Sequence, residues 1–407
     1  MDGRVETAAR RRAGFGFVAL MASLGAVNAV STDIVIPGLG LIDAEFGLSD
    51  PNLRQWALYA VFLGMAVSQL VLGPVADRFG RRAAVFGGLA VFLLGCAAAA
   101  AAPSYGALLA GRFLQGLGSG GLRVVSMAVT RDRFSGDEMA RVVSLSTAVF
   151  VVMVFAAPLV GQGMLALGPW RWLFLLLAVQ ALATGLWFAL AQPETLDPAR
   201  RRPISPRAVA RTFAEIARTP ATLACALALG AAFGAFAGYL ASAQQVFGEV
   251  YALGVWLPVA FGAVSLFYGA MALVNARAVG RFGTVRLARW ALALWAVWGI
   301  GGAVGFGPLA AGVPPLWLWM VWASVAVAGF AFIYGNLQAL ALVPMGDRAG
   351  SASSAVAAFA TLCGVIVAAT VGATFDGTVV PLTASFGAAG LAGLLAVRRA
   401  TRRGAFA

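Results

Sequence analysis

Residues 27 to 38 read VNAVSTDIVIPG, and Asp33 is a carboxyl set in a run that is otherwise apolar or small. An ionised carboxylate in hydrocarbon is costly, so an acid there is either paired or protonated, and a group that alternates between those states is suited to carrying a proton. Further along, Arg112, Gln115, Ser119, Arg123, Ser126 and Thr130 recur every three or four residues. That spacing puts them on one helix face, which lipid would reject; the face is expected to line a cavity. Asp33 with Arg112, Gln115 and Arg123 are therefore the candidates for proton coupling and for the substrate cavity, with Arg112 the expected partner of Asp33.

The elements that must hold these side chains are membrane helices. The chain has 407 residues, 61% of them hydrophobic and 11% charged. Soluble domains are about half apolar and one quarter charged. Apolar runs close to the roughly 20 residues that cross a bilayer recur throughout. They predict twelve spans, near 14–40, 55–75, 83–102, 105–130, 140–166, 170–191, 221–246, 254–277, 287–310, 315–344, 350–375 and 379–398. The fold class expected is all-α integral membrane, two six-helix halves at 14–192 and 221–398. The segment at 193–220 is read as a cytosolic linker, and 1–13 and 399–407 as cytosolic termini.

All 29 basic residues are Arg, and 25 of them fall in alternate inter-span segments, while only Arg54 and Arg171 fall in the others. The positive-inside rule then puts both termini in the cytosol, and it accounts for the net charge of +13 without nucleic acid. The absence of Lys excludes a Walker-type phosphate loop, and the absence of His excludes His-ligated metal and a Ser-His-Asp triad. Cys96, Cys225 and Cys363 fall singly inside spans and are read as small apolar residues. No cofactor is expected beyond a proton gradient; the partners expected are a small-molecule substrate, protons and lipid, acting on a monomer.

After the second span stands Gly73-Pro74-Val75-Ala76-Asp77-Arg78-Phe79-Gly80-Arg81-Arg82, and Arg-Phe-Gly recurs after the eighth at 281–283. Gly73 and Pro74 are expected to end the helix, Gly80 to permit a tight turn. The recurrence is expected of two halves built as a repeat.

The first of these strings resembles the G-x-x-x-D-R-x-G-R-R signature of the major facilitator superfamily, and the resemblance extends over essentially the whole chain. It implies that Gly73, Asp77, Arg78, Gly80, Arg81 and Arg82 form a conformational latch, with Asp132 of Arg131-Asp132-Arg133 as the acid that Arg81 pairs with. Arg112-x-x-Gln115-Gly116 resembles the fourth-span motif of proton-coupled drug exporters, in which the Arg is implicated in coupling. Members of that branch usually carry a second Arg where Met127 stands, one helical turn from Arg123. Ala157-Pro158 with Gly161 is similar to the antiporter fifth-span motif and implies a gate helix. Asp33-Ile34-Val35-Ile36-Pro37, Gln244–Tyr251 and Asn275-Ala276-Arg277 resemble the bicyclomycin and chloramphenicol resistance branch of the drug:proton antiporters.

Tyr239, Gln245, Tyr268, Tyr334, Asn336 and Gln338 are the polar residues of the second half that a substrate could touch. The expectation is a proton-driven antiporter, not an enzyme, exporting small amphipathic or hydrophobic compounds across the inner membrane by alternating access. The alternatives are a transporter of one metabolite, such as a siderophore or an amino-acid derivative, and a membrane enzyme acting on lipid-linked substrates.

Overall fold

The computed structural model describes residues 13–201, 203 and 205–402. The termini at 1–12 and 403–407 and the linker residues Arg202 and Ile204 lie outside the described residues. Among the described residues there are helices and no strand: α1 Phe15–Asp33, α2 Leu39–Phe46, α3 Trp56–Phe79, α4 Arg81–Ala100, α5 Tyr105–Ser119, α6 Leu122–Arg133, α7 Gly136–Leu167 and α8 Arg171–Ala191. After α9 Pro206–Arg218 come α10 Pro220–Ala243, α11 Leu257–Phe282, α12 Thr284–Ala310, α13 Leu316–Leu342, α14 Ala349–Ala373 and α15 Val380–Arg402. Among the described residues, eleven helical segments are long and apolar enough to cross a membrane. With α5 and α6 taken end to end as the fourth crossing, the chain is a multi-pass membrane protein.

Three expectations change. The first span is not one helix: α1 stops at Asp33, a short 3-10 turn covers Ile36–Gly38, and α2 follows. Pro37 lacks the N–H that would continue the ladder, so the helix yields next to the acid. The fourth span is divided at Gly120 and Gly121, where Gly121 gives its N–H to Ser68 Oγ at 2.9 Å. And α3 does not end at Gly73 and Pro74 but runs through them to Phe79; a proline inside a membrane helix is tolerated where neighbours re-satisfy the freed carbonyl. The segment between the halves also contains a helix of its own, α9.

The helix ends at Gly80 and Gly283 share one backbone conformation, φ 106 and ψ 161 at the first, φ 78 and ψ 151 at the second. Such positive φ values suit glycine alone, which explains why Arg-Phe-Gly recurs at the same structural place.

Lipid is as apolar as the helices, so helix association rests on close packing. Gly116 provides it between α5 and α3, since a Cβ there would run into the Val61 carbonyl. Helices α3, α4, α5 and α8 pack side by side, with α1 against α7; α10, α12, α13, α14 and α15 pack likewise in the second half. The halves meet along α3 with α14 and α7 with α11. One face of the molecule carries the α3–α4 turn, the end of α6 and the segment before α10, and is rich in Arg. The opposite face carries α2, residues 47–55 and the chain between α10 and α11.

Candidate functional site

Asp33 is the last residue of α1 and only 5% exposed. Among the described residues its carboxyl has no hydrogen-bond or ion-pair partner. The fifth-span motif lies beside it: a Cβ on Gly161 would collide with the Ile34 carbonyl, so α7 reaches α1 there only because residue 161 is glycine, and Pro158 is buried in the same helix. In the second half α10, which packs against the turn at Ile36–Gly38, carries Tyr239. Its ring stacks on Phe261 at 6.1 Å, and its buried hydroxyl has no partner among the described residues. Asp33 and Tyr239 are thus two buried polar groups on opposite halves, each without a hydrogen-bond partner among the described residues.

Arg112 is completely buried and does not face an open cavity. Its Nε donates to the Ala57 carbonyl at 2.8 Å, and its Nη1 to the Ser31 carbonyl at 2.9 Å and to Gln115 Oε1 at 2.7 Å. It therefore ties α5 to both α1 and α3. It is not in ion-pair contact with Asp33; its Nη2 is left without a partner. Gln115 donates in turn to Cys96 Sγ at 3.1 Å, while Ser119 donates to the Gln115 carbonyl and accepts from Asn28. Ser126 and Thr130 are buried and donate to carbonyls of their own helix. Of the polar stripe read from the sequence, only Arg123 is exposed. The others serve helix packing, because a polar side chain in an apolar setting first satisfies itself on neighbouring backbone.

Arg123 opens onto a cleft lined by Met21, Gly25, Ser126, Met127 and Phe150. Its guanidinium lies over the Phe150 ring at 4.7 Å. On the other side of the interface, Phe236 and Phe330 stack at 4.2 Å and 10°, flanked by Tyr268 and Tyr334.

Towards the Arg-poor face the halves are joined by hydrogen bonds. Arg54 donates to Glu249 Oε1 at 2.5 Å and to Gln244 Oε1 at 2.9 Å. Gln55 donates to Gln245 Oε1 at 2.6 Å, Gln245 to Asn52 Oδ1 at 2.7 Å, and the Tyr59 hydroxyl to the Ala368 carbonyl at 2.8 Å. Residues 244–250 form a π-helical turn, which directs both glutamines and Glu249 at the first half. Gln245, a candidate substrate contact from the sequence, is thus engaged in this seal. Asn336 donates to Asn275 Oδ1 at 2.9 Å and Gln338 to Ser353 Oγ at 3.2 Å, so both are also committed within the protein. Asn52, Arg54, Gln55 and Tyr59 were not singled out by sequence reasoning; the one available signal was that Arg54 breaks the charge bias.

On the Arg-rich face Arg81 bonds Asp77 Oδ1 at 2.6 Å and Asp132 Oδ2 at 3.1 Å. Arg82 donates to the Gln192 and Ala189 carbonyls, Arg78 is exposed, and Gly73 has open space beside it. A further member, Glu194, was not anticipated. Its carboxylate accepts the backbone N–H of Arg81 at 2.9 Å and of Arg82 at 3.0 Å, capping α4, and also those of Thr195 and Leu196. Burial raises the Glu194 pKa, but these four donors outweigh it and hold the carboxyl below its usual range.

Residues 21–368 match the model of a family described as the Major Facilitator Superfamily. The chain is 26% identical to a "bicyclomycin resistance protein homolog" of Haemophilus influenzae over 97% of its length and 98% of the relative's. It is 34% identical to the "multidrug resistance protein MdtL" of Salmonella heidelberg over 42% of its own length and 43% of the relative's. In fold it is similar to the crystal structure of a D-xylose-proton symporter, with a TM-score of 0.75 at 17% identity over 94% of this chain and 96% of that one.

Proposed function

Because the chain belongs to the Major Facilitator Superfamily of membrane transporters, we propose that it is a proton-coupled antiporter that exports small amphipathic or hydrophobic compounds, acting as a monomer with both termini in the cytosol of a bacterial inner membrane. Its resistance relatives favour export, and the Arg bias favours that orientation. On this reading the Arg-poor face is external and is closed by the Arg54–Glu249 and Gln55–Gln245 contacts, while the Arg123 cleft opens to the cytosol.

The observation that carries the coupling is Asp33, buried and unpaired below that seal. Protonation removes the cost of leaving it so. When the half-interface opens outward, the carboxyl can exchange its proton with the outer solvent, and closure commits it to the inner side. The groups at Arg81, Asp77 and Asp132 act on this reading as the latch that braces the cytosolic face in one of the two end states.

The test is gradient-driven accumulation of a fluorescent amphipathic dye in everted vesicles. Wild type should accumulate dye and stop when an uncoupler is added; Asp33→Asn should not accumulate it at all. Full gradient-dependent accumulation by Asp33→Asn would remove Asp33 from the mechanism.

A further inference from the structure

We infer that the outer face of α12 carries a binding site for one anionic phospholipid, with its phosphate at the turn between α11 and α12 and an acyl chain in a groove between α12 and α15. The inference goes beyond the transport reading and takes from it only that this turn lies at the cytosolic leaflet.

The turn is held at the membrane surface. Two segments apolar enough to cross a bilayer, Gly254–Phe282 and Thr284–Pro308, are joined by the single residue Gly283. The matching turn of the first half, aligned on Arg-Phe-Gly, is satisfied from within: Arg81 bonds Asp77 and Asp132, and the Glu194 carboxylate lies against Gly80. In the second half Gly280 stands where Asp77 does, and the space beside Gly283 is open. Arg277, Arg281 and Arg286 are exposed and Arg289 is partly buried. Among the described residues no carboxylate comes within ion-pair distance of any of the four. Arg281 rests one face of its guanidinium on the Phe282 ring at 5.4 Å, which leaves its N–H edge for a phosphate. Phe282 meets Trp290 edge-on at 5.6 Å, and both rings are exposed, as rings that settle at headgroup level are.

Deeper in the bilayer, Ala296, Val297, Ile300, Gly301 and Val304 of α12 and Leu391 of α15 line a groove of about 550 Å³. Arg286, Trp290, Leu294, Val297, Gly301 and Val304 are all exposed and recur at intervals of three and four, so the cationic cluster, the rings and the groove share one helix face. From Trp290 to Gly301 is about 16 Å at 1.5 Å per residue, close to half of the roughly 30 Å of bilayer hydrocarbon. An acyl chain that starts beside Trp290 therefore ends in the groove, where Gly301 leaves open space. A zwitterionic lipid would fill the groove but bring its own cation to the arginines. Free phosphate would meet the arginines but leave the rings and the groove empty. An anionic phospholipid answers both parts, and basic residues at the end of a span attract such lipids.

The experiment is native mass spectrometry of the purified full-length protein in detergent, titrated with phosphatidylglycerol or with phosphatidylcholine of the same acyl chains. Wild type should bind its first phosphatidylglycerol about tenfold more tightly than its first phosphatidylcholine. Arg281→Gln combined with Arg286→Gln should bring the two lipids to equal affinity. Removing two exposed charges from α9 instead, Arg207→Gln with Arg211→Gln, should leave the preference in place. Gly301→Leu, which fills the groove, should weaken both lipids by a similar factor. Monodisperse elution of each variant establishes that it is folded. Equal binding of the two lipids by wild type, a preference that survives in the Arg281/Arg286 variant or is lost equally in the α9 variant, unchanged binding by Gly301→Leu, or displacement of phosphatidylglycerol by millimolar inorganic phosphate would each overturn the assignment. No gradient and no transported compound enter this measurement. Persistence of dye transport in Asp33→Asn therefore speaks against the coupling proposal alone, and loss of lipid discrimination against this one alone.

Discussion

The Nη1 of Arg54 lies 2.5 Å from Oε1 of Glu249, an ion pair between residues 195 apart in sequence that ties the first half of the molecule to the second. Arg54 is almost wholly buried while the Glu249 side chain is 47% exposed, so solvent screens the pair from one side. Its strength belongs with partly exposed ion pairs, about 1 kcal/mol. Glu249→Gln leaves Arg54 its bonds to Gln244 and the Pro51 carbonyl, and Asp43 at 3.6 Å. The expected outcome is a partial shift, roughly fivefold, towards the state open on the Arg-poor face. Spin labels placed on the two halves at that face, read as distance distributions, would show it; an unchanged distribution would mean the pair does not bias the equilibrium.

Arg112→Gln should lower the folded yield in membranes sharply, and Arg112→Lys should recover little of it. The bonds at stake run to the Ala57 and Ser31 carbonyls on two different helices, and an ammonium does not reproduce the planar fork that reaches both. Adding Asp33→Asn should not rescue the yield, since those acceptors are backbone. Rescue would show instead that the two side chains act as a charge pair.

Gly161→Ala should destabilise by about 1–3 kcal/mol, the usual cost of overpacking, because the methyl group meets the Ile34 carbonyl. Gly163→Ala, two residues along the same helix with open space at its Cβ, should change stability by less than about 0.5 kcal/mol. Thermal unfolding in detergent compares the two. Equal midpoints would refute the close approach of α7 to the end of α1.

Acid should loosen the Arg-rich face. The folded-state pKa of Glu194 is depressed below 4.5, so its contribution is fully present above that value and is lost as pH falls through the folded one. Glu194→Gln should therefore melt below wild type near neutrality, with the gap narrowing as pH falls through and below 4.5. A gap that is constant over the series would exclude the carboxylate as its source.

Much of this was legible in the sequence because a bilayer enforces simple rules. Hydrocarbon thickness sets span length, and the Arg bias gave the expected orientation; the family resemblance read from Gly73–Arg82 agrees with the family match. Periodicity put Arg112, Gln115 and Arg123 on one stripe of one helix, but the span is divided at Gly120 and Gly121, and periodicity could not say what each side chain meets. Arg112 turned out to be spent on the carbonyls of α1 and α3, and Arg123 was left open. Gln245, equally plausible as a substrate contact, was claimed by Asn52 and Gln55.

The sequence by itself determined which residues carry charge at membrane depth: one acid, Asp33, and two arginines, because transfer cost is a property of the residue and its place in a span. Only the tertiary structure decided which of those charges are satisfied. Hydrogen bonds form between atoms a few ångströms apart, and Arg54 with Glu249, Arg81 with Asp132 and Gln55 with Gln245 become neighbours only once the helices have packed.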